Sequence, residues 1–121
     1  MNTIIFLDDE RNIKDVFWHK YPEYNACHIA RNFKQFKQLV NTILLTGNIK
    51  LKNVLFSFDH DLQDFNEDSS ENTGYTCAKW LCETILDNMY NTTDLNHVVH
   101  SQNPIGKENI DSYIKNFKKY A

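Results

Sequence analysis

VLFSFDHD, at residues 54–61, is the most informative stretch of this 121-residue chain. It stays largely apolar as far as Phe58, without the apolar/polar alternation of a half-exposed strand, which indicates a strand covered on both faces. Three ionisable residues follow at once: Asp59, His60 and Asp61. Because ligands bind beyond the carboxyl ends of the strands in an open parallel sheet, we expect this strand to present these side chains at such a site.

Two other strand-like segments end in the same way. TIIFL at residues 3–7 is followed by DDER at residues 8–11, and VV at residues 98–99 is followed by HSQN at residues 100–103. In a parallel sheet these ends lie at one edge. The sequence therefore predicts that three strand ends meet in one polar site.

Three segments carry apolar residues at the three-to-four-residue spacing of a one-sided helix. The first follows Asn32, a residue that can cap a helix N-terminus. The second starts at Thr73 or Gly74 and places Met89 on its apolar face. The third follows residues 104–106, which turn the chain into the final helix.

The remaining segments are less regular. Residues 25–30 are a weaker strand candidate, which we place at an edge of the sheet. Residues 10–18 indicate a loop or short helix with Phe17 among its inward-facing side chains. Residues 62–72 are polar and acidic and predict a long surface loop.

Strands that alternate with helices predict parallel pairing through right-handed crossovers. The simplest arrangement is a three-layer α/β sandwich, with four strands in the order 2-1-3-4 and helices on both faces. This order puts the first and third strands side by side. Asp8 and Asp9 would then neighbour Asp59, next to the end of the fourth strand.

Length and composition favour one folded domain over residues 1–121. The chain is 41% hydrophobic, and three Gly and two Pro leave no low-complexity linker. A net charge of −3 gives no overall attraction to nucleic acid or an anionic membrane. The three cysteines lack zinc-ligand spacing, no charged leader precedes the first strand, and no apolar run approaches the roughly 18–20 residues that span a bilayer. We therefore expect a cytoplasmic protein without a membrane partner.

The clustered carboxylates indicate a divalent cation. Asp8, Asp9 and Asp59 would repel one another unless a cation or bound protons relieve them. Such an oxygen-ligand set suits Mg²⁺, Mn²⁺ or Ca²⁺, which could hold a phosphate. The alternative is that Asp8 or Asp9 caps the following turn and that the other acids are solvated.

His60 and His100 are the candidates for proton transfer. A histidine can take a proton from an attacking hydroxyl or give one to a leaving oxygen. A pair on opposite sides of a phosphorus would suit acid–base phosphodiester chemistry, with Asp61 orienting one imidazole or completing the metal shell. For either histidine the alternative is a structural hydrogen bond.

Arg11, Ser101 and Asn103 are the candidates for holding phosphate oxygens. Ser101 and Asn103 lie in a strand-to-helix turn, where hydroxyl, amide and backbone donors can bind a phosphate near a helix N-terminus. Arg11 can bind a phosphate with two N–H groups or pair with a neighbouring carboxylate. Turn chemistry alone would also select Asn before Pro at this place.

Four motifs combine these residues in one order and spacing. They are LDDER at 7–11, SFDHDL at 57–62, Gly74 with the pair at 80–81, and HSQNPIG at 100–106. Together they resemble the cyclic-phosphate-processing receiver-like domain family of bacteria and phages. The resemblance implies a divergent receiver (flavodoxin-like) fold and a role in processing cyclic phosphates, such as 2′,3′-cyclic ends of RNA or related nucleotides.

The resemblance runs from about residue 4 to residue 115. It also allows individual positions to be compared with those of signalling receivers. In ordinary signalling receivers the first-strand acids bind Mg²⁺, an Asp after the third strand is phosphorylated, and a Ser or Thr ends the fourth strand. The matching positions here are Asp8, Asp9, Asp59 and Ser101. This chain lacks an evident fifth strand with its lysine. It adds His60, Asp61 and His100.

These features predict a metal-assisted phosphoesterase that acts on the cyclic phosphate of a nucleotide or an RNA end, with Mg²⁺ or Mn²⁺ as cofactor. The metal ligands would be Asp8, Asp9 and Asp59. The reacting groups would be His60, His100 and Asp59, and the substrate-side groups Arg11, Asp61, Ser101 and Asn103. One alternative is a phosphoacceptor receiver with Asp59 as nucleophile. Another is a module that binds or sequesters a cyclic nucleotide without converting it.

Overall fold

The computed structural model describes residues 2–47 and 49–121. Its strands are β1 (Thr3–Leu7), β2 (Ala26–Ala30), β3 (Val54–Phe58), β4 (Asp64–Phe65), β5 (Glu71–Asn72) and β6 (Asn96–Val99). β1, β2, β3 and β6 form a parallel sheet in the order β2-β1-β3-β6. This is the predicted 2-1-3-4 order, except that the antiparallel β4–β5 hairpin makes the fourth sheet strand the sixth along the chain.

The α-helices are α1 (Phe33–Val40), α2 (Gly74–Asp87) and α3 (Pro104–Tyr120). α1 continues directly into a π-helical turn, Asn41–Leu45. The side chains of Asn32, Thr73 and Asn103 cap the three helices by accepting backbone N–H groups of the first turn. Among the described residues, no helix is long and apolar enough to cross a membrane.

The two faces of the sheet are covered differently. On one face the side chains of Ile5, Phe56 and Phe58 belong to a large core that the three helices complete. On the other face a smaller cluster contains Ile4, Phe6, Val16 and Leu55. Val16 comes from the segment between β1 and β2, which contains only a short 3₁₀ turn, Ile13–Asp15. On this second face a turn and loop take the place of the predicted helix layer, because the segment between β1 and β2 forms no α-helix.

Two side chains that the spacing places inward lie on the surface. Phe17 is 88% exposed, because it packs edge-on against Trp18 and not against the sheet. Met89 is 91% exposed, because α2 ends at Asp87 and Met89 follows in a left-handed conformation with φ of 59°. The inward orientation predicted for both residues is wrong.

The segment at residues 62–72 is not simply the predicted surface loop. It contains the β4–β5 hairpin, and Leu62 and Asn72 are buried. The carboxylate of Asp64 accepts the backbone N–H of Phe33 at 3.0 Å, which satisfies a donor in the first turn of α1. The segment therefore connects β3 to the helix layer.

Candidate functional site

The carboxyl ends of β1, β3 and β6 meet at one edge of the sheet. Asp8, Asp59 and His100 each follow one of these strands directly, and all three are buried. One potential ligand atom of each lies within 4.8 Å of those of the other two. A cavity of about 500 Å³ lies at these strand ends. The structure therefore brings the three polar strand ends into one site.

The charged side chains that line this cavity are mainly acidic. It consists of Asp8, Asp9, Glu10, Arg11, Asp59, Asp61, Gln63, Ser101, Gln102, Asn103 and Pro104. Of these described residues five carry carboxyl groups, and one, Arg11, carries a fixed positive charge. The lining includes the predicted metal ligands and phosphate-binding residues. It also includes Glu10, Gln63 and Gln102, which were not predicted, and it does not include His60 or His100.

The carboxylate of Asp8 is held through both oxygens. Its Oδ1 accepts the backbone N–H groups of Glu10 at 2.9 Å and Arg11 at 2.8 Å. Its Oδ2 lies 3.0 Å from Nε2 of His100 and 3.4 Å from Nη1 of Arg11. Burial alone would raise the pKa of Asp8, but the hydrogen bonds from His100, Arg11 and Glu10 outweigh it and lower the pKa to about 2. Asp8 is therefore ionised at neutral pH.

Asp59 has the opposite electrostatic setting. Its Oδ1 accepts the backbone N–H of His60 at 2.9 Å. Burial, and then the negative charge of Asp8, raise the pKa of Asp59 above its ordinary value. Ionised Asp59 is thus destabilised in the metal-free protein, and a cation placed between the two carboxylates would relieve it.

His100 lies beneath the site and does not face the cavity. Its side chain is fully buried, with the imidazole stacked on the ring of Phe6 at a centroid distance of 4.4 Å. Nε2 contacts Asp8, and Nδ1 lies 2.7 Å from Oγ of Ser57. Both ring nitrogens thus contact protein groups, and His100 is not among the described residues that line the cavity. In this position its imidazole orients the Asp8 carboxylate.

A chain of hydrogen bonds continues from His100 into the protein. Oγ of Ser57 lies 2.7 Å from the hydroxyl of Tyr21. Because ionised Asp8 can only accept, Nε2 of His100 carries a proton; in the neutral ring Nδ1 then accepts from Ser57, and Ser57 accepts from Tyr21. Burial raises the pKa of Tyr21 to about 12, so its phenol keeps the proton it donates. The chain fixes the orientation of the Asp8 carboxylate from below.

His60 does not line the cavity itself, but its imidazole contacts Asp61, which does. Its Nδ1 lies 3.0 Å from Oδ1 of Asp61, and Nδ2 of Asn103 donates to the other oxygen of that carboxylate at 3.2 Å. The hydrogen bond to His60 is the main cause that lowers the pKa of Asp61. The imidazole also packs against Gly106, where an added Cβ would collide with the ring. His60 is therefore fixed behind a carboxylate that faces the cavity.

The predicted phosphate-binding side chains line the cavity but also make structural hydrogen bonds. Oγ of Ser101 accepts the backbone N–H of Asn103 at 3.2 Å, and Oδ1 of Asn103 caps α3. Nη2 of Arg11 donates to the side chain of Gln102 at 3.3 Å, and the guanidinium lies 5.2 Å from the ring centre of Trp18. Arg11 thus bridges the two sides of the cavity mouth.

The sequence of this chain matches the model of one protein family. The match is to the cyclic-phosphate processing receiver domain and covers residues 3–116. This chain belongs to the cyclic-phosphate processing receiver domain family. Comparison with curated proteins and with solved structures gave no match.

In this receiver domain a close backbone approach explains the glycine of the third motif. A Cβ added to Gly74 would collide with the carbonyl oxygen of Asp59, and the N–H of Gly74 donates to the carbonyl of His60 at 2.8 Å. The start of α2 therefore lies directly against the end of β3. A side chain at residue 74 would displace the acidic strand end.

The receiver domain also uses an arginine that sequence reasoning missed. Nη1 of Arg31 donates to the carbonyl oxygens of Asp8 at 3.2 Å and Arg11 at 2.6 Å, and Nη2 donates to Oδ1 of Asn12 at 2.8 Å. These bonds hold the loop that follows β1. Its position in the sequence could have identified Arg31. It directly follows β2, and so it lies at the end of a fourth strand on the same edge of the sheet.

Proposed function

We propose that this receiver domain is a metal-assisted phosphoesterase that opens a cyclic phosphate, with 2′,3′-cyclic ends of RNA or related nucleotides as the substrate class. One observation carries the proposal. Buried Asp59, whose pKa is raised, lies beside ionised Asp8 in a cavity with five carboxyl groups and one guanidinium. A phosphate is repelled by such a cavity unless a cation enters with it. The cavity therefore suits a phosphate that arrives with a divalent ion.

The carboxylates fit such an ion. Asp8 and Asp59 offer the oxygen donors that Mg²⁺ and Mn²⁺ prefer, and Asp9 lies in the same lining. Nε2 of His100 also lies in this group of atoms, but it donates to Asp8, so we assign the ligand role to the carboxylates. When bound, a divalent cation neutralises charge and polarises a phosphoryl oxygen.

We assign proton transfer to the pair formed by His60 and Asp61. Asp61 faces the cavity and is hydrogen-bonded to the imidazole at 3.0 Å. In ring opening a water oxygen bonds to phosphorus, one ring P–O bond breaks, and the released oxygen takes a proton. A carboxylate–imidazole pair can accept the proton of the water and return it to the leaving oxygen.

Phosphate oxygens would be held by Arg11, Ser101 and Asn103. The contact of Arg11 with Asp8 is long, at 3.4 Å, and the arginine side chain is 35% exposed, so it can turn toward a ligand. Ser101 uses its oxygen as an acceptor and keeps its O–H to donate. These donors complement the phosphoryl oxygens that do not contact the cation.

The test is product analysis with a panel of 2′,3′-cyclic mononucleotides, cyclic-phosphate-ended oligoribonucleotides and cyclic dinucleotides, each with Mg²⁺, Mn²⁺ or chelator. We expect metal-dependent ring opening by the wild type and a loss of about 10²-fold or more in Asp59→Asn. Asp87→Asn is the matched control, because Asp87 is an exposed carboxylate at the end of α2 and does not line the cavity. Ligand recovered bound but unconverted would contradict the proposal and favour a binding module.

A phosphoacceptor role for Asp59 has a separate readout. After incubation with acetyl phosphate and Mg²⁺, a phosphate adduct seen by intact mass and absent in Asp59→Asn would favour it over hydrolysis. The structure offers one observation against this role, since no lysine is among the described residues that line the cavity. We therefore expect no stable adduct.

A further inference from the structure

Phe17 and Trp18 form an exposed aromatic pair beside the cavity. They are 88% and 37% exposed, and their rings meet edge-on at 5.2 Å. Trp18 is fixed in place, because its indole N–H donates to the carbonyl of His100 at 2.8 Å and the guanidinium of Arg11 lies over its ring. Arg11 itself lines the cavity. The pair is therefore held next to the proposed phosphate site and stabilises no core.

A groove of about 730 Å³ lies beside this aromatic pair, along β6, the last strand of the sheet order. It is lined by His19, the residue after Trp18, and by the apolar side chains of Leu55 and Val98. Its lysines are Lys20, Lys115, Lys118 and Lys119. Asn96, which also lines it, precedes His100 by four residues, so the groove extends roughly 13 Å from the strand end at about 3.3 Å per residue.

The charge of this groove is opposite to that of the chain. The formal net charge of the protein is −3, yet none of the described residues that line the groove carries a carboxyl group. Asp111 is not in the lining, but it pairs with two lining residues, Lys115 at 2.8 Å and His97 at 2.8 Å. Lys118 and Lys119 have no such acidic partner among the described ion pairs. The groove therefore favours an extended polyanion.

We propose that the aromatic pair and the basic groove bind single-stranded RNA, so that the substrate is an oligonucleotide end and not a free mononucleotide. Stacking of bases on aromatic rings beside a positively charged groove is the physical basis of single-strand binding. The terminal phosphate lies in the acidic cavity, a base stacks on the exposed ring of Phe17, which Trp18 supports edge-on, and the preceding backbone phosphates follow the lysines. This inference rests on the proposed function, because that function places the chain end in the cavity.

The test compares an eight-nucleotide RNA ending in a 2′,3′-cyclic phosphate, the same RNA with a 3′-hydroxyl, and a 2′,3′-cyclic mononucleotide. We expect kcat/KM to be at least tenfold higher for the cyclic-ended RNA than for the mononucleotide. Phe17→Ala and the double variant Lys118→Ala/Lys119→Ala should lower the ratio of kcat/KM for the cyclic-ended RNA to kcat/KM for the mononucleotide at least fivefold. The double variant should also reduce the slope of log Kd against log salt by about 1.4, at about 0.7 per phosphate contact.

Matched controls are available elsewhere on the surface. Met89→Ala removes a similarly exposed apolar side chain just after the end of α2, and Lys34→Ala/Lys79→Ala removes two exposed lysines from α1 and α2. Neither should change the ratio. Equal kcat/KM for RNA and mononucleotide, or equal losses in test and control variants, would overturn the RNA inference and leave the esterase proposal standing. RNA binding that the test variants abolish, without ring opening of any substrate, would support the groove and contradict the esterase.

Discussion

Nε2 of His100 lies 3.0 Å from Oδ2 of Asp8, and the imidazole is shielded from solvent by the protein. This contact gives the histidine a positioning role. The imidazole stabilises the ionised form of Asp8 and, through Ser57 and Tyr21, fixes the direction of its oxygens. The acidity of the site therefore depends on a residue that does not line the cavity.

Replacement of His100 tests this relationship. His100→Phe keeps the ring stacked on Phe6 but leaves Asp8 and Ser57 without their partner, so we expect the free energy of unfolding to fall by about 3 kcal/mol. His100→Gln retains an N–H donor and should recover part of the stability and turnover. The pH–rate profile of His100→Gln should keep both limbs of the wild type. Loss of one limb would instead indicate that His100 transfers the proton itself.

Neutralising the two central carboxylates should change stability in opposite directions. Asp8→Asn removes a carboxylate whose pKa is lowered from 3.8 to about 2, and should destabilise the metal-free protein by about 2 kcal/mol at pH 7. Asp59→Asn removes an unfavourable charge and keeps an oxygen for the N–H of His60, so it should stabilise the protein. Urea unfolding in chelator measures both, and shifts of the same sign would contradict this electrostatic account.

The pH dependence of stability follows from the same two groups. The pKa of Asp8 is lower in the folded state, so its contribution is complete above about pH 4 and is lost as the pH falls toward about 2. Asp59 has the opposite effect on stability. Its pKa is raised in the folded state, so at pH values just above the unfolded-state pKa of Asp59 the folded state binds more protons than the unfolded state. The lowered pKa values of His19 and His97 cost stability as the pH falls below 7, in the wild type and in Asp59→Asn alike. We therefore expect metal-free wild type to gain stability relative to Asp59→Asn as the pH falls from 7 toward that range, and both proteins to lose the contribution of Asp8 below about 4.

Gly106→Ala tests the packing that holds His60. Ala in place of Gly within a helix normally stabilises by about 1 kcal/mol. Here the new Cβ would collide with the imidazole, so we expect lower stability, a shifted His60 signal in NMR spectra and reduced turnover. Ser112→Ala, on the same helix, is the control. Higher stability with unchanged turnover in Gly106→Ala would show that the ring does not need this position.

The strand order and the meeting of the strand ends could be predicted because they follow from local patterns. An unbroken apolar run marks β3 as central, and parallel pairing then fixes which ends are neighbours. The β4–β5 hairpin could not be found, because strands of two residues each carry no measurable alternation.

The different surroundings of His60 and His100 could not be predicted from the sequence. Both follow apolar runs that end at the same sheet edge, so the sequence gives them equal standing. The structure separates them through contacts distant in sequence: Ser57 lies 43 residues from His100, and Tyr21 lies 36 residues from Ser57. The exposure of Phe17 could not be predicted either. Helical spacing does not reveal that the chain forms only a 3₁₀ turn before this residue.

The proposed reaction requires the Asp8–Asp59 pair to hold a divalent cation for the cyclic phosphate. The most direct measurement is a calorimetric titration of Mn²⁺ into the wild type, Asp59→Asn and the control Asp87→Asn at pH 7. We predict one tight site in the wild type and the control, and an affinity at least tenfold lower in Asp59→Asn, a difference of about 1.4 kcal/mol or more. Equal affinity in all three proteins, or no binding by the wild type, would contradict the account.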